Sequence, residues 1–335
     1  MCANICQSGL SLLLILPPLE ANAETKLTRP ILGGRDHASV SASGFAAEDD
    51  EAGRTERHSA TLIALANSKA SMATESRQII YASAPTPVSM TDYWFDIANL
   101  DHFWVRRRFD VFKRMAGALI QGAAQVVEIG CGNGLVQRGV EDCYGIPVAG
   151  FDLTEHALER NISRSSPLYY YDIHQRAPEF RARFDIVLLM DVLEHIADQA
   201  AFLQSIKYHM TVDGALVVNV PAHQFLYSHY DHSVGHYRRY SVRSLKEVAE
   251  QNGFFMHSFS YWGAPLLPLL LLRKAVVRLH RSERSVVSSG FDPGSRLMNL
   301  LCGILANCEM IPQSLGGTSL IAVLKVAGGA NECRS

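Results

Sequence analysis

The sequence predicts an α/β fold with a mostly parallel sheet and helices on both of its faces. Strand-like apolar runs alternate with helix-like segments between residues 126 and 252. A glycine-rich turn joins the first of these strands to a helix, and an acidic residue ends the second strand. Such alternation is typical of parallel sheets, because a crossover between parallel strands is usually a helix. Ligands of such folds bind at the carboxyl ends of the strands, so we expect a site there.

The elements are predicted in chain order from hydrophobic periodicity. Phe109, Phe112, Met115 and Leu119 recur at helical spacing and predict an amphipathic helix over residues 106–121. Seven strands are predicted after it, over residues 126–129, 148–152, 168–171, 184–190, 215–220, 254–261 and 319–326. Helices are predicted between them, over residues 135–144, 155–161, 200–210 and 241–252.

The composition is that of a globular protein without a strong charge. The chain has 335 residues, of which 48% are hydrophobic, and its formal net charge is −2. This length suffices for one large domain or two small ones. A near-neutral chain provides no field that would attract DNA or RNA, so no nucleic-acid partner is predicted. The 7 cysteines are dispersed, which is typical of reduced thiols in a cytoplasmic protein.

The N-terminal third differs from the rest of the chain. Residues 1–89 are rich in Ala, Ser and Thr, contain an acidic run at 48–51, and are predicted to be mostly disordered. The catalytic domain is assigned to residues 90–326 and a tail to 327–335, and Met90 is a candidate for the true start. Residues 10–23 resemble a signal peptide, but no Lys or Arg precedes their apolar core, so a cytoplasmic protein is expected.

The turn after the first strand predicts a nucleoside-cofactor pocket. Residues 128–134 read Glu-Ile-Gly-Cys-Gly-Asn-Gly, and Asp152 follows Gly130 by 22 positions. Glycines let backbone N–H groups approach a ligand, and a carboxylate at this distance is placed to accept both hydroxyls of a ribose. A dinucleotide fingerprint would need Gly or Ala where Leu135 stands, so a nicotinamide-dependent oxidoreductase remains an alternative with a poorer fit. Asp152 as the N-cap of a helix before Glu155 is the structural alternative.

The pattern Glu-x-Gly-x-Gly-x-Gly resembles motif I of the class I S-adenosylmethionine-dependent methyltransferases. The resemblance implies a Rossmann-like sheet of seven strands over residues 100–326, whose antiparallel last strand lies between the fifth and the sixth. It also implies S-adenosyl-L-methionine as the cofactor. Gly130, Gly132 and Gly134 would then lie near its methionine part, with Glu128 supporting the loop and the ammonium group.

The same resemblance assigns the adenosyl end of the cofactor. Asp152 would bind the ribose, Leu153 would pack on the adenine, and Asp172 with Ile173 would hold the adenine amino group and ring. For Asp172, a solvated loop acid is the alternative.

Residues 190–195, Met-Asp-Val-Leu-Glu-His, follow the fourth predicted strand and resemble the corresponding motif of methyltransferases that O-methylate ubiquinone intermediates. The resemblance implies that Met190 lines the cofactor and that His195 serves as a base. It also suggests a site for a divalent cation, with Asp191, Glu194 and His195 as the ligands. That motif usually has Glu at the first position, so no metal is predicted, and His195 as a purely structural group stays open.

The loop after the fifth predicted strand is dense in His, Tyr and Arg. Its run Asp-x-x-x-Gly-His-x-Arg-Arg-Tyr-Ser resembles a methyltransferase group of the type 11 or type 12 domain classes, which implies that Asp231, His236 and Arg239 lie on the acceptor side. The alternative is that Arg238 or Arg239 pairs with Asp231 and fastens the loop. A zinc site at His232 and His236 is disfavoured by Gly235 and by the lack of a cysteine.

Residues 262–318 form a predicted insertion before the last strand. An apolar run from 264 to 272 precedes five basic residues between 273 and 284, and a second apolar helix is predicted over 297–306. The insertion is either a cap over the active site or a surface that contacts a membrane peripherally through residues 264–284, at the inner face of the membrane.

The expected function is therefore methyl transfer from S-adenosyl-L-methionine to a small or lipid-linked acceptor, at a hydroxyl group. His195 and His236 are the candidate bases, with Asp231 beside them. A cofactor-binding module without turnover is the non-enzymatic alternative.

Overall fold

A mixed sheet of eight strands organises the part of the chain that the computed structural model describes, residues 78–84, 99–277, 296–308 and 313–327. These residues belong to one unit, Ala70–Ser335. The predictions about residues 10–23, the acidic run at 48–51, Met90 and the tail from residue 328 lie outside the described residues.

The strand order is β1-β4-β3-β2-β5-β6-β8-β7. Strands β1 to β6 pair in parallel, and β8 is antiparallel to both of its neighbours. The strands are β1 Ile79–Tyr81, β2 Val126–Ile129, β3 Ala149–Asp152, β4 Leu168–Tyr170, β5 Phe184–Met190, β6 Met210–Pro221, β7 Phe254–Trp262 and β8 Ser319–Val326. The predicted antiparallel last strand between the fifth and sixth predicted strands is thereby confirmed.

Strand β1 is a correction to the prediction. It adds an eighth strand at the edge of the sheet, inside the segment 1–89 that was predicted to be mostly disordered. Its three residues pair with β4, and the ring of Tyr81 stacks on that of Tyr170 at 5.5 Å between centroids. Three residues are too few to show a period, and the pairing partner is distant in sequence, so local patterns did not indicate this strand.

Eight α-helices surround the sheet in the described part of the chain. They are α1 Phe103–Gly122, α2 Leu135–Tyr144, α3 Glu155–Glu159, α4 Gln199–His209, α5 His229–Ser233, α6 Val242–Gln251, α7 Leu267–Val277 and α8 Arg296–Asn307. Helix α1 begins three residues before its predicted start, since the side chain of His102 accepts the N–H of Trp104 and caps the helix there. Among the described residues, we find no helix with both the length and the apolar character needed to cross a bilayer.

Both faces of the sheet are buried, which explains the uninterrupted apolar run of β5. Val187 and Leu189 belong to one core cluster, whereas Ile186, Leu188 and Met190 belong to the other. Successive side chains of a strand point to opposite faces, so each layer of helices covers one cluster. The carboxyl ends of β2, β3 and β5 therefore lie side by side and carry the residues of the candidate site.

Candidate active site

The glycine loop after β2 is held in a conformation that favours glycine. Gly130, Gly132 and Gly134 all have positive φ values, of 73°, 52° and 78°. A Cβ atom on Gly130 would lie 2.6 Å from Cγ2 of Val192, so a larger residue would also collide with its neighbour. The loop thus keeps its backbone bare, and α2 begins directly after it at Leu135.

Asp152 connects the tip of β3 to this loop. Its Oδ2 accepts the N–H of Gly132 at 2.7 Å, and its Oδ1 accepts the N–H of Thr154 at 2.8 Å. Burial raises the pKa of Asp152, and the hydrogen bonds from the backbone act in the opposite direction. The N-cap of α3 is Thr154, so the interpretation of Asp152 as that cap is wrong.

A cavity of about 810 Å³ opens at this edge of the sheet. Its size is in the range of small-molecule and cofactor sites. Ten predicted site residues line it: Glu128, Gly130, Gly132, Asp152, Leu153, Asp172, Ile173, Met190, His195 and His236. The two others do not. Gly134 caps α2 beside Asn161, and Asp231 is fully buried behind His236.

Glu128 and Arg108 bring an acidic and a basic side chain into the wall of the cavity. Glu128 is buried, and its Oε2 has no hydrogen-bond partner among the described residues. Burial raises the pKa of Glu128 to about 8, while the charge of Arg108 opposes the shift. Arg108 lines the same cavity from α1 and is also buried.

Sequence reasoning missed Arg108. The signal was its position: it lies three and four residues before Val111 and Phe112, both fully buried, and so belongs to the inner face of α1. A cation in an apolar stripe is rarely buried without a partner or a ligand.

Asp191 is the partner of Arg108. It forms an ion pair with that guanidinium, and its Oδ1 accepts the side-chain N–H of Asn219 at 2.6 Å. Trp262 donates in turn to Asn219 at 2.9 Å. Asp191 also adopts a positive φ of 64°, which the surrounding bonds stabilise. The carboxylate is therefore engaged, and the cation triple of Asp191, Glu194 and His195 is not assembled.

The structure brings a different set together. Ligand atoms of Glu194, His195 and His236 all lie within 4.8 Å of one another. Both carboxyl oxygens of Glu194 are buried without a hydrogen-bond partner in the described part of the chain. Burial, followed by the charge of Asp191, raises the pKa of Glu194 well above its ordinary value.

His195 and His236 contact each other in the wall of the cavity, with ring centroids 4.6 Å apart. Burial, together with the neighbouring His236, lowers the pKa of His195 to about 3. An imidazole with so low a pKa is a weak base.

His236 is oriented by a buried carboxylate. Its Nδ1 lies 3.1 Å from Oδ1 of Asp231, and its Nε2 lies 3.9 Å from Oε1 of Glu194. Burial alone would raise the pKa of Asp231, but the hydrogen bond with His236 and the charge of Arg239 hold it well below the usual range. An ionised Asp231 favours the tautomer of His236 with its proton on Nδ1, which leaves Nε2 free to accept a proton.

The two interpretations of Asp231 are compatible. Arg239 does pair with it, at 2.7 Å, and thereby fastens the loop, whereas Arg238 donates to Gln199 instead. The same carboxylate also accepts the N–H of Ser228 at 2.8 Å. A carboxylate held by these donors is a fixed support for His236.

Asp172 lies at the end of β4 and caps the short 3₁₀ turn Ile173–Gln175. Its Oδ1 accepts the N–H of His174 at 2.9 Å. The side chain is partly exposed, and both Asp172 and Ile173 line the cavity. Leu266, Leu269 and Leu270 of the insertion also line the cavity, as the cap interpretation predicts for the described part of the insertion.

Residues 100–258 match the model of a family described as a methyltransferase domain. This segment is a methyltransferase domain, and the similarity supports a class I S-adenosylmethionine-dependent methyltransferase. The resemblance drawn from the glycine loop and from residues 190–195 is thereby confirmed.

Individual relatives match only part of the chain. A ubiquinone biosynthesis O-methyltransferase of Actinobacillus pleuropneumoniae is 28% identical over 120 residues, which are 32% of this chain and 50% of that protein. Its counterpart from Aromatoleum aromaticum is 36% identical over 101 residues, which are 28% of this chain and 41% of that protein. The chain thus spans about half the length of the curated relatives it matches. Among solved structures, a methyltransferase from Archaeoglobus fulgidus has a TM-score of 0.43 at 16% identity and covers 65% of this chain and 94% of that one.

Proposed function

We propose that this protein transfers a methyl group from S-adenosyl-L-methionine to a hydroxyl group of a small or lipid-linked acceptor. The observation that carries the proposal is the hydrogen bond from Gly132 to Asp152 in the wall of the cavity. It joins a bare backbone turn and a carboxylate at the tips of neighbouring strands, which is the arrangement a nucleoside cofactor needs.

The adenosyl group is proposed to bind along β3 and β4. Asp152 accepts the ribose hydroxyls, Leu153 packs on the adenine, and Asp172 with Ile173 holds its amino group and ring. Met190, at the end of β5, lies against the cofactor. The support is their common position in the wall of one cavity.

The amino-acid end of the cofactor is proposed to bind along the loop of Gly130 and Gly132. Its ammonium group then lies near Glu128 and its carboxylate near Arg108, since both of these side chains line the cavity. A ligand ammonium beside Glu128 would favour the ionised carboxylate, which the free protein holds largely neutral at pH 7 because its pKa is about 8.

His236 is the proposed general base. When bound, S-adenosyl-L-methionine would supply an activated methyl group on a sulfonium; the acceptor oxygen would bond to the methyl carbon as the carbon–sulfur bond breaks and its electron pair stays on the sulfur. His236 takes the hydroxyl proton on Nε2, and Asp231 stabilises the resulting imidazolium. His195 retains a place beside the acceptor, but its low pKa makes it the weaker candidate.

A hydroxyl acceptor is supported by the relatives, since the matched proteins are named O-methyltransferases of ubiquinone biosynthesis. The low identity leaves the acceptor itself open to experiment. We place the enzyme in the cytoplasm, where its cofactor is available, and at the inner face of the membrane when the acceptor is lipid-linked. The contact would involve residues 264–284, of which residues 264–277 are described.

A metal-assisted variant of this reaction is the second candidate. Glu194, His195 and His236 fit a divalent cation by their mutual distances and by the unpartnered oxygens of Glu194. A bound cation would lower the pKa of an acceptor hydroxyl, and these ligands would have to be deprotonated to hold it. Dialysis against a chelator distinguishes the two: activity that survives chelation supports His236 as the base.

Two ligands and one transfer assay test the proposal. Isothermal calorimetry should show that S-adenosylhomocysteine binds and that NAD⁺ does not, because Leu135 occupies the position of a dinucleotide glycine. Incubation of the protein with methyl-labelled cofactor and cell extract should then label an extractable small molecule or lipid. Binding without label in any fraction would support the non-catalytic module, and binding of NAD⁺ alone would support the oxidoreductase.

A further inference from the structure

Helix α8 presents its large aliphatic residues to the outside of the protein. Leu297, Leu300, Leu301 and Ile304 are 66, 59, 50 and 54% exposed and recur at helical spacing. The opposite side of the helix carries Cys302 and Ala306, which are buried, and packs against α1. An amphipathic helix of a globular protein normally buries its apolar side, so this orientation indicates a binding surface.

Helix α7 also exposes large aliphatic residues. Leu269, Leu271 and Leu272 are 45, 49 and 61% exposed. Both α7 and α8 contact the short turn Ala264–Leu266, so both helices begin or pack at the same part of the fold. We call the exposed Leu and Ile residues of α7 and α8 the apolar face.

The charge of this region identifies the kind of partner. Helices α7 and α8 contain three Lys or Arg and no Asp or Glu, a formal charge of +3, whereas the whole chain has −2. The rest of the chain therefore carries −5. The apolar face thus belongs to two basic helices of an otherwise acidic protein.

Basic helices that carry an apolar face fit the headgroups and acyl chains of an anionic bilayer. A second copy of this chain fits less well, because a twofold contact would bring two sets of basic helices together.

The apolar face is also connected to the cavity. Leu269 lies on both, since it lines the cavity and is 45% exposed, and Leu270 beside it lines the cavity as well. Leu269 and Leu270 thus join the exposed surface of α7 to the cavity that His236 also lines, so an acceptor with an apolar chain meets aliphatic side chains at both places.

We propose that the apolar face docks on an anionic lipid bilayer and that the cavity receives its acceptor from that bilayer. The docking follows from the exposed surface alone, whereas the delivery of the acceptor from the bilayer rests on the proposed methyl transfer. Delivery from the bilayer narrows the acceptor to a lipid-borne hydroxyl compound.

Sedimentation of the full chain with vesicles tests the docking. The protein should bind vesicles of phosphatidylcholine with phosphatidylglycerol at least about tenfold more tightly than vesicles of phosphatidylcholine alone, and added salt should weaken the binding. The double variant Leu300→Ser, Leu301→Ser should lose about tenfold or more of the affinity. Val212→Ser is the matched control, because Val212 is 74% exposed on β6, outside the apolar face, and should bind as the parent does.

Three results would overturn the docking. They are absence of binding to either vesicle, equal binding by the double variant, and a dimer without lipid that the double variant converts to a monomer. Calorimetry with S-adenosylhomocysteine on the same samples separates this proposal from the proposed function. If vesicles bind but the nucleoside does not, the docking surface stands and the methyltransferase activity is rejected.

Discussion

Removal of the Asp152 carboxylate should weaken the complex with the cofactor. In Asp152→Ala the ribose loses both proposed acceptor oxygens, and the loop loses the bond between Gly132 and Oδ2. Charge-assisted hydrogen bonds of this kind contribute about 1–3 kcal/mol, so the dissociation constant of S-adenosylhomocysteine should rise about 5- to 150-fold.

The same substitution also affects the empty protein. Asp152 accepts two backbone N–H groups, from Gly132 and Thr154. Their loss should lower the free energy of unfolding by about 1–3 kcal/mol. A decrease in affinity must therefore be separated from partial unfolding.

Asp185→Ala provides the matched control. Asp185 also accepts two backbone N–H groups, from Ala124 and Gln125 at 2.9 and 3.0 Å, but it lies at the start of β5, at the opposite edge of the sheet. Both variants should lose comparable stability in urea titrations, while only Asp152→Ala should lose affinity in calorimetry. Equal affinities of Asp152→Ala and the parent protein would refute the placement of the ribose.

Three further predictions concern single positions. Gly130→Ala should lower the free energy of unfolding by about 1–3 kcal/mol, because the new Cβ atom would lie 2.6 Å from Val192. Gly145→Ala is the control: its Cβ atom would have no neighbour within 4 Å, so only the smaller cost of the backbone conformation is expected. Equal losses of stability in thermal melts would contradict this prediction. Glu128 has a pKa of about 8 in the folded protein and of about 4.3 in the unfolded chain. The unfolded chain therefore releases this proton first, and the free energy of unfolding should fall as the pH rises from about 5 to 8. In urea titrations, Glu128→Gln should remove this contribution to the pH dependence of the free energy of unfolding. His236→Ala should reduce label transfer at least about 100-fold with unchanged affinity for S-adenosylhomocysteine, and retention of transfer would remove it as the base.

The sheet was predictable from the sequence because its strands are short apolar runs between clear turns. The bounds of β2, β5 and β8 agree with the prediction to the residue. Strand β1 was not predictable, since its pairing with β4 depends on tertiary structure rather than on a local period. Helix α3 ends two residues before its predicted end, at Glu159, which is within the usual uncertainty of helix ends.

The site was only partly predictable. Motif residues such as Gly132 and Asp152 follow strands, so their meeting at one edge was implied by the parallel topology. The engagement of Asp191 by Arg108 was not implied, because α1 lies outside the alternating unit and its side chains reach the cavity only through packing. The pairing of His236 with Asp231 and Glu194 likewise depends on how a loop folds back over the strand ends.

A crystal structure of the complex with S-adenosylhomocysteine tests the central claim most directly. We expect the nucleoside in the 810 Å³ cavity, with both ribose hydroxyls within hydrogen-bonding distance of Asp152 and the amino-acid end beside Glu128. Density for the nucleoside outside this cavity, or ribose hydroxyls that contact neither oxygen of Asp152, would contradict the account.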